Sequence, residues 1–201
     1  MFISSYQLLT PPASEILTIG DGSPYDVAPQ LRVVNASDYA YVSLLIAAAR
    51  REIERRLERQ LLTATWRVIY DSFPAEITLA KPPVQSVVQI QYLDMGGQLQ
   101  TLDPSWYQAS IRGPDSPARI MPAYAHFWPF TRAQTYDACR IDFVAGYGAT
   151  ADTVPITVRQ AMMFLVAHWF ENRTPVSETS VNEVPETLLA LIGCDSWGAY
   201  S

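Results

Sequence analysis

The sequence predicts an α+β protein: long helices packed with an antiparallel β-sheet insertion, plus extended N- and C-terminal arms. Three observations predict it. Apolar residues recur at helical spacing over 37–60 and again over 155–172. Between them, over 65–150, the apolar period changes to two and turn signals multiply. Both ends are poor in charge and broken by proline or glycine. The division this implies is an arm over 1–36, a core over 37–175 and a second arm over 176–201 that carries a short helix.

Residues 1–36 hold only four charges, Glu15, Asp21, Asp26 and Arg32, and no sustained helical period. Gly20-Asp21-Gly22-Ser23-Pro24 is a turn signal. Such a segment is too apolar for a solvated tail and too interrupted for a helix. It reads as an extended arm lying on its own subunit or on a neighbour. The helix over 37–60 follows, with Ser37 or Asp38 suited to cap it. Val42, Ile46, Ala49, Ile53 and Leu57 form its apolar stripe, and the other face is charged from Arg50 to Arg59. That charged face serves either solvation or a contact between acidic and basic edges of adjacent subunits. Arg51, Glu54, Arg55, Glu58 and Arg59 are the candidate inter-subunit residues.

The β-region reads as strands at Thr65–Tyr70, Glu76–Leu79, Val84–Leu93, Gln98–Leu102, Trp106–Ser110, Arg119–Met121 and Arg140–Ala145. In the third of these, Val88, Ile90 and Tyr92 alternate with Gln89 and Gln91, which places the three on one face. Asp94-Met95-Gly96-Gly97 marks a hairpin turn, and Pro82-Pro83 separates two strands. Residues 112–137 are loop-like but carry Tyr124, Phe127, Trp128, Phe130 and Tyr136. These aromatics either plug one sheet face or form an apolar patch that a partner covers. In the helix over 155–172, Pro155 suits the first turn and Val158, Ala161, Met162, Leu165 and Trp169 form the buried stripe. From Val184 to Ser201 the only charges are Glu186 and Asp195, so this end should pack on something.

Composition narrows the function. The 201 residues are 49% apolar and 17% charged, and 20 acidic residues outweigh 14 basic ones for a net charge of −6. An acidic chain of this kind does not bind nucleic acid by neutralising phosphates. Lys81 is the only lysine, so the basic side chains are almost all Arg, the residue of planar pairing and protein contact. No basic residue precedes Arg32, which leaves no charged start for a signal peptide. The run from Tyr39 to Ala49 is too short to cross a bilayer. Cys139 and Cys194 have no metal-binding spacing and read as reduced thiols. No nucleophile elbow, zinc helix or phosphate loop is present, and His126 and His168 are the only histidines. No cofactor, metal or catalytic residue is expected. The one enzymatic alternative is a cleft near Tyr124 and His126.

The order of segments resembles the head–tail connector (adaptor) proteins of long-tailed bacteriophages. The resemblance runs from about Leu31 to Asn172. Its blocks are Leu31-Arg32-Val33, then Leu44 to Arg50 in the long helix, then Leu61 to Trp66. Lys81-Pro82-Pro83-Val84, Tyr92-Leu93-Asp94, Thr101 to Pro104, Arg119 to Tyr124 and Trp128-Pro129 follow. Phe143 to Gly148 and Ala167 to Arg173 complete the series. Where such proteins carry a first short helix, this chain has Gly20, Gly22, Pro24 and Pro29.

The resemblance implies a structural virion protein of the neck, assembled in the host cytoplasm. Its copies would form a homo-oligomeric ring, typically of twelve, beneath the portal protein. The ring would extend the DNA channel and dock a stopper or tail-terminator protein, with genomic DNA passing through unread and no membrane involved. Leu188, Leu189, Ile192, Trp197 and Tyr200 in the apolar C-terminal arm are the candidate portal-docking residues. A tail-completion or stopper role within the neck is the alternative, followed by a monomeric α+β enzyme or ligand-binding domain.

Overall fold

The structure, a computed structural model, describes residues 5–33 and 35–172. The fold is α+β, with helices and antiparallel sheets. The chain forms two compact units. One contains the β-strands, from residues up to Pro12 and from Thr63–Tyr147. The other is helical and, among the described residues, comes from Ala13–Leu62 and from 148–172. The candidate portal-docking residues Leu188, Leu189, Ile192, Trp197 and Tyr200, with the rest of the 176–201 arm, lie outside the described residues.

In the β unit, strands β1 (Ser5–Thr10), β2 (Ala64–Tyr70), β4 (Val84–Leu93), β5 (Leu99–Thr101) and β8 (Cys139–Ala145) make one sheet. Their order is β1-β2-β8-β4-β5, and every pairing is antiparallel. Strands β3 (Ile77–Leu79), β6 (Tyr107–Ser110) and β7 (Ala118–Pro122) make a second sheet in the order β3-β7-β6. The core lies where alternate residues converge: Val68, Ile77, Leu79, Ile90, Ile120, Ile141 and Phe143 are all fully buried. The expected alternation in β4 is displaced. A register shift between Val87 and Gln89 puts Val87 against the core and leaves Val88 55% exposed. An extra residue in one strand exchanges the faces of everything before it.

The opposite face of the central strands carries a charge cluster. Asp142 of β8 lies opposite Arg67 of β2 on one side and Gln89 of β4 on the other. Arg67 donates from Nε and Nη2 at 2.6 and 2.8 Å, and Gln89 donates at 2.9 Å. Asp142 is only 4% exposed. Burial pulls its carboxyl upward, but the Arg67 and Gln89 bonds and the nearby Arg140 charge outweigh it, so the group titrates below the ordinary carboxylate range.

In the helical unit, α1 (Ala28–Leu31) is a single turn with Pro29 near its start, and Arg32 ends it with φ 51°. This is all the helix that the glycine- and proline-rich segment forms among the described residues. Residues 13–33 are folded rather than extended: Ile16, Leu17 and Val27 are buried. Asp26 organises the turn by accepting from the amides of Gly20, Gly22 and Ala28. Gly20 has φ +73° there, and a Cβ on it would run into the Tyr39 ring.

Helix α2 (Tyr39–Leu57) buries the expected stripe of Val42, Ile46, Ala49, Ile53 and Leu57. A 3₁₀ turn at Ala36–Asp38 leads into it, and no side-chain cap closes its N-terminus. Helix α3 (Ile156–Glu171) buries Val158, Ala161, Met162 and Leu165, with Val166 in place of Trp169, which is half-buried. Among the described residues no helix is long and apolar enough to cross a membrane.

One residue of the charged face of α2 turns out to be internal. Arg50 is 8% exposed because the preceding segment folds over it and supplies Glu15. Its guanidinium donates to Glu15 at 2.7 and 3.1 Å and to Glu54 at 3.0 Å. Glu54 in turn accepts from the Gln60 amide at 2.7 Å and the Leu61 backbone N–H at 3.1 Å. Burial pushes the Glu54 carboxyl upward, against the pull of Arg50 and the Leu61 N–H.

Two stability outcomes follow from these clusters. Replacing Asp142 with Ala should cost about 2 kcal/mol, below the value for a fully enclosed pair because Arg67 keeps some solvent. Because the Asp142 carboxyl is depressed in the folded state, its contribution is present above about pH 4 and is lost as pH falls. Acid unfolding followed by circular dichroism should therefore show a shallower loss between pH 4 and 2 in D142A than in the parent. Arg50→Ala should cost about 3 kcal/mol, since it leaves two carboxylates without their counter-charge. Glu54→Gln should cost clearly less, because burial already favours a neutral group there. Thermal melts of the two variants at pH 7 check the order.

Candidate interaction surfaces

No group of three or more His, Cys, Asp or Glu could hold a metal ion among the described residues. Cys139 and Tyr70 are buried, and burial pushes each up to about 12. Both lie in the hydrophobic core of the β unit. Tyr124 is 97% exposed and His126 packs on the Trp106 ring at 5.0 Å, so the two do not wall a cleft. His168 lies at the end of α3, where Asn172 donates to its carbonyl at 2.8 Å.

The five candidate inter-subunit residues do not form one outward patch. Arg51, Arg55 and Glu58 are exposed. Arg55 is engaged by Glu52 through two bonds, at 3.0 and 2.8 Å, and Glu52 also takes Arg56 at 2.6 Å. Glu54 is turned inward, as described, and Arg59 is 3% exposed. The reason is where the helix stops. Glu58 adopts φ 53° at the C-cap, and the amide of Arg59 bonds back to the Glu54 carbonyl at 3.1 Å. The chain thus turns back one residue before Arg59 and carries it, with Gln60, into the interior.

The outward face of α2 has a different character. Tyr41, Leu44, Ala48, Arg51 and Arg55 are exposed at i, i+3, i+7, i+10 and i+14. They make a stripe that is apolar at its start and basic at its end. Leu44 is 70% exposed.

The second surface is the loop over residues 123–138. Of its five Tyr, Phe and Trp side chains, Trp128 is the one packed against the core of the β unit. Trp128 stacks on Phe73 with ring centroids 4.7 Å apart and planes 4° from parallel, and its indole N–H points at the Ala75 carbonyl at 3.4 Å. The loop is held elsewhere by backbone bonds. Ala123 N–H donates to the Trp106 carbonyl, Arg132 N–H to the Leu93 carbonyl, and Asp137 N–H to the Asp71 carboxylate. The other aromatic side chains face outward: Tyr124 is 97% exposed, and Phe127, Phe130 and Tyr136 are each 84% exposed. The sequence of this loop is compatible with a plug on one sheet face and with an exposed patch. Trp128 packs as the first reading expects, while Tyr124, Phe127, Phe130 and Tyr136 remain exposed. Replacing Trp128 with Ala should free the loop. Limited trypsin digestion should then cut after Arg132 several times faster than in the parent, while the far-ultraviolet spectrum stays unchanged.

No protein-family model matches the sequence, and no curated protein matches it. Solved structures do. A chain in the neck of an empty gene transfer agent particle, computed with C6 symmetry, superposes with a TM-score of 0.74 at 22% identity, over 98% of this chain and 97% of that one. A chain in the virion of the native gene transfer agent particle gives 0.68 at 21% identity, over 96% and 98%. A chain in the neck of the native particle, computed with C12 symmetry, gives 0.64 at 22% identity, over 96% and 98%. The protein therefore has, over nearly its whole length, the fold of chains found in the neck and virion of a gene transfer agent particle.

Proposed function

We propose that this protein is a structural component of the neck of a phage-like particle, an adaptor whose copies close into a ring beneath the portal. The ring extends the DNA channel and presents a surface to the next neck protein. Its work is assembly rather than catalysis. The observation that carries this reading is the near full-length likeness to a chain in a neck, with both chains covered almost completely. A partial match would support only a shared building block.

The physical chemistry agrees. A protein with a low charge fraction, one lysine and two exposed apolar surfaces is suited to life inside an assembly. A net charge of −6 per subunit, repeated around a channel, would repel phosphates and favour the passage of DNA over its capture. In this reading the apolar arm after Pro185 docks on the portal, with Leu188, Leu189, Ile192, Trp197 and Tyr200 as its contacts.

Co-expression with the portal protein, followed by negative-stain imaging, tests the proposal. Rings of about twelve subunits capping the portal are expected, as for a closed heterologous assembly. A chain that stays monomeric and binds no portal would overturn it. Rings that reach the portal only through another neck protein would assign the chain to the stopper or tail-completion position instead.

A further inference from the structure

Tyr124, Phe127, Phe130 and Tyr136 point into water from a single loop. At roughly 200 Å² per aromatic side chain, the three nearest in sequence, Tyr124, Phe127 and Phe130, leave about 500 Å² uncovered. That is more than half of the ~800 Å² that each partner gives to a standard protein interface. The loop is also pinned by Trp128, Arg132 and Asp137. Little ordering entropy remains to be lost when it docks. Aromatic side chains on a held loop have the chemistry of interface anchors.

The surface that complements them is apolar with a guanidinium, since an Arg over an aromatic face adds cation–π attraction to burial. The outward stripe of α2 has that composition: Tyr41, Leu44 and Ala48, then Arg51. Arg51 makes no ion pair among the described residues, unlike Arg50, Arg55 and Arg56 on the same helix. Symmetry makes the same demand. A patch that met only its own copy would stop at a twofold dimer, whereas a ring needs two different patches that mate head to tail. Among the described residues the aromatic loop and the α2 stripe are two such different patches.

We infer that Tyr124, Phe127 and Phe130 of one copy dock on the Tyr41–Leu44–Ala48–Arg51 stripe of α2 in the next copy. The contact rests on the ring reading above and names its subunit interface. It gives Arg51 a role between subunits and removes Glu54 and Arg59 from that role.

Cross-linking tests the contact directly. Cys139 is buried, so Cys194→Ser gives a background without an accessible native thiol. In that background, F127C and L44C proteins are mixed under mild oxidation, with Gln100→Cys replacing L44C as an exposed control. A disulfide heterodimer of F127C with L44C is expected, at least about tenfold above the control. Sedimentation of assembled protein supplies the second measurement. The tip variant Y124S/F127S/F130S and the stripe variant L44E/R51E should each fail to form rings. Mixing the two should yield pairs only, because one intact tip and one intact stripe remain. Rings that persist in either variant, or rings in the parent without the F127C–L44C cross-link, would overturn the contact and leave the ring reading standing. The cross-link without any ring, with or without portal, would overturn the ring reading and leave the contact standing.

Discussion

Strand β8 is the member on which the β unit depends. It pairs with β2 and β4 along its full length, so all seven residues are held from both sides. Its two faces do different work. Cys139, Ile141, Phe143 and Ala145 enter the core, while Asp142 on the other face gathers Arg67 and Gln89 from the flanking strands. A cross-strand ion pair flanked by a third donor fixes register as well as adding stability, since a slip by one residue would bury charge in the core. The loop that displays the exposed aromatic side chains ends at the first residue of β8. Its presentation is therefore only as firm as that strand.

The helical unit solves a different problem. Helix α2 has to end, reverse and leave in a new direction without exposing its last carbonyls or burying a bare charge. Glu54 meets both needs. Its carbonyl receives the amides beyond the helix end, and its carboxylate receives Arg50, Gln60 and the Leu61 amide. Arg50 ties the same point to Glu15 of the preceding segment. Buried charges are tolerable when each finds a partner and its remaining donors or acceptors are met.

These two clusters explain the economy of charge. The charges that organise the interior are largely satisfied within the chain, and among the described residues several large aromatic and aliphatic side chains are left exposed. Such surface is a liability for a free monomer and an asset for an assembled one. The proposed role in a neck and the tip-to-stripe contact both use that surface, and neither requires a reactive group.

The sequence alone determined the element types, because period is a local property. The stripes of α2 and α3 and most strand limits could be read from spacing, and so could the absence of a catalytic motif. Only the tertiary structure decided which charged residues of α2 are internal. Arg50 and Arg51 are adjacent and chemically identical; the helical period sets Arg50 beside the buried stripe, but its partner Glu15 lies 35 residues earlier in the chain and cannot be read from spacing. The same holds for Val88, displaced by a register shift that depends on its partner strand, and for Arg59, carried inward by a left-handed residue at Glu58. It holds too for the aromatic loop, where one ring found a face to stack on and four did not. At these places burial depends on partners or backbone turns that the apolar period does not identify.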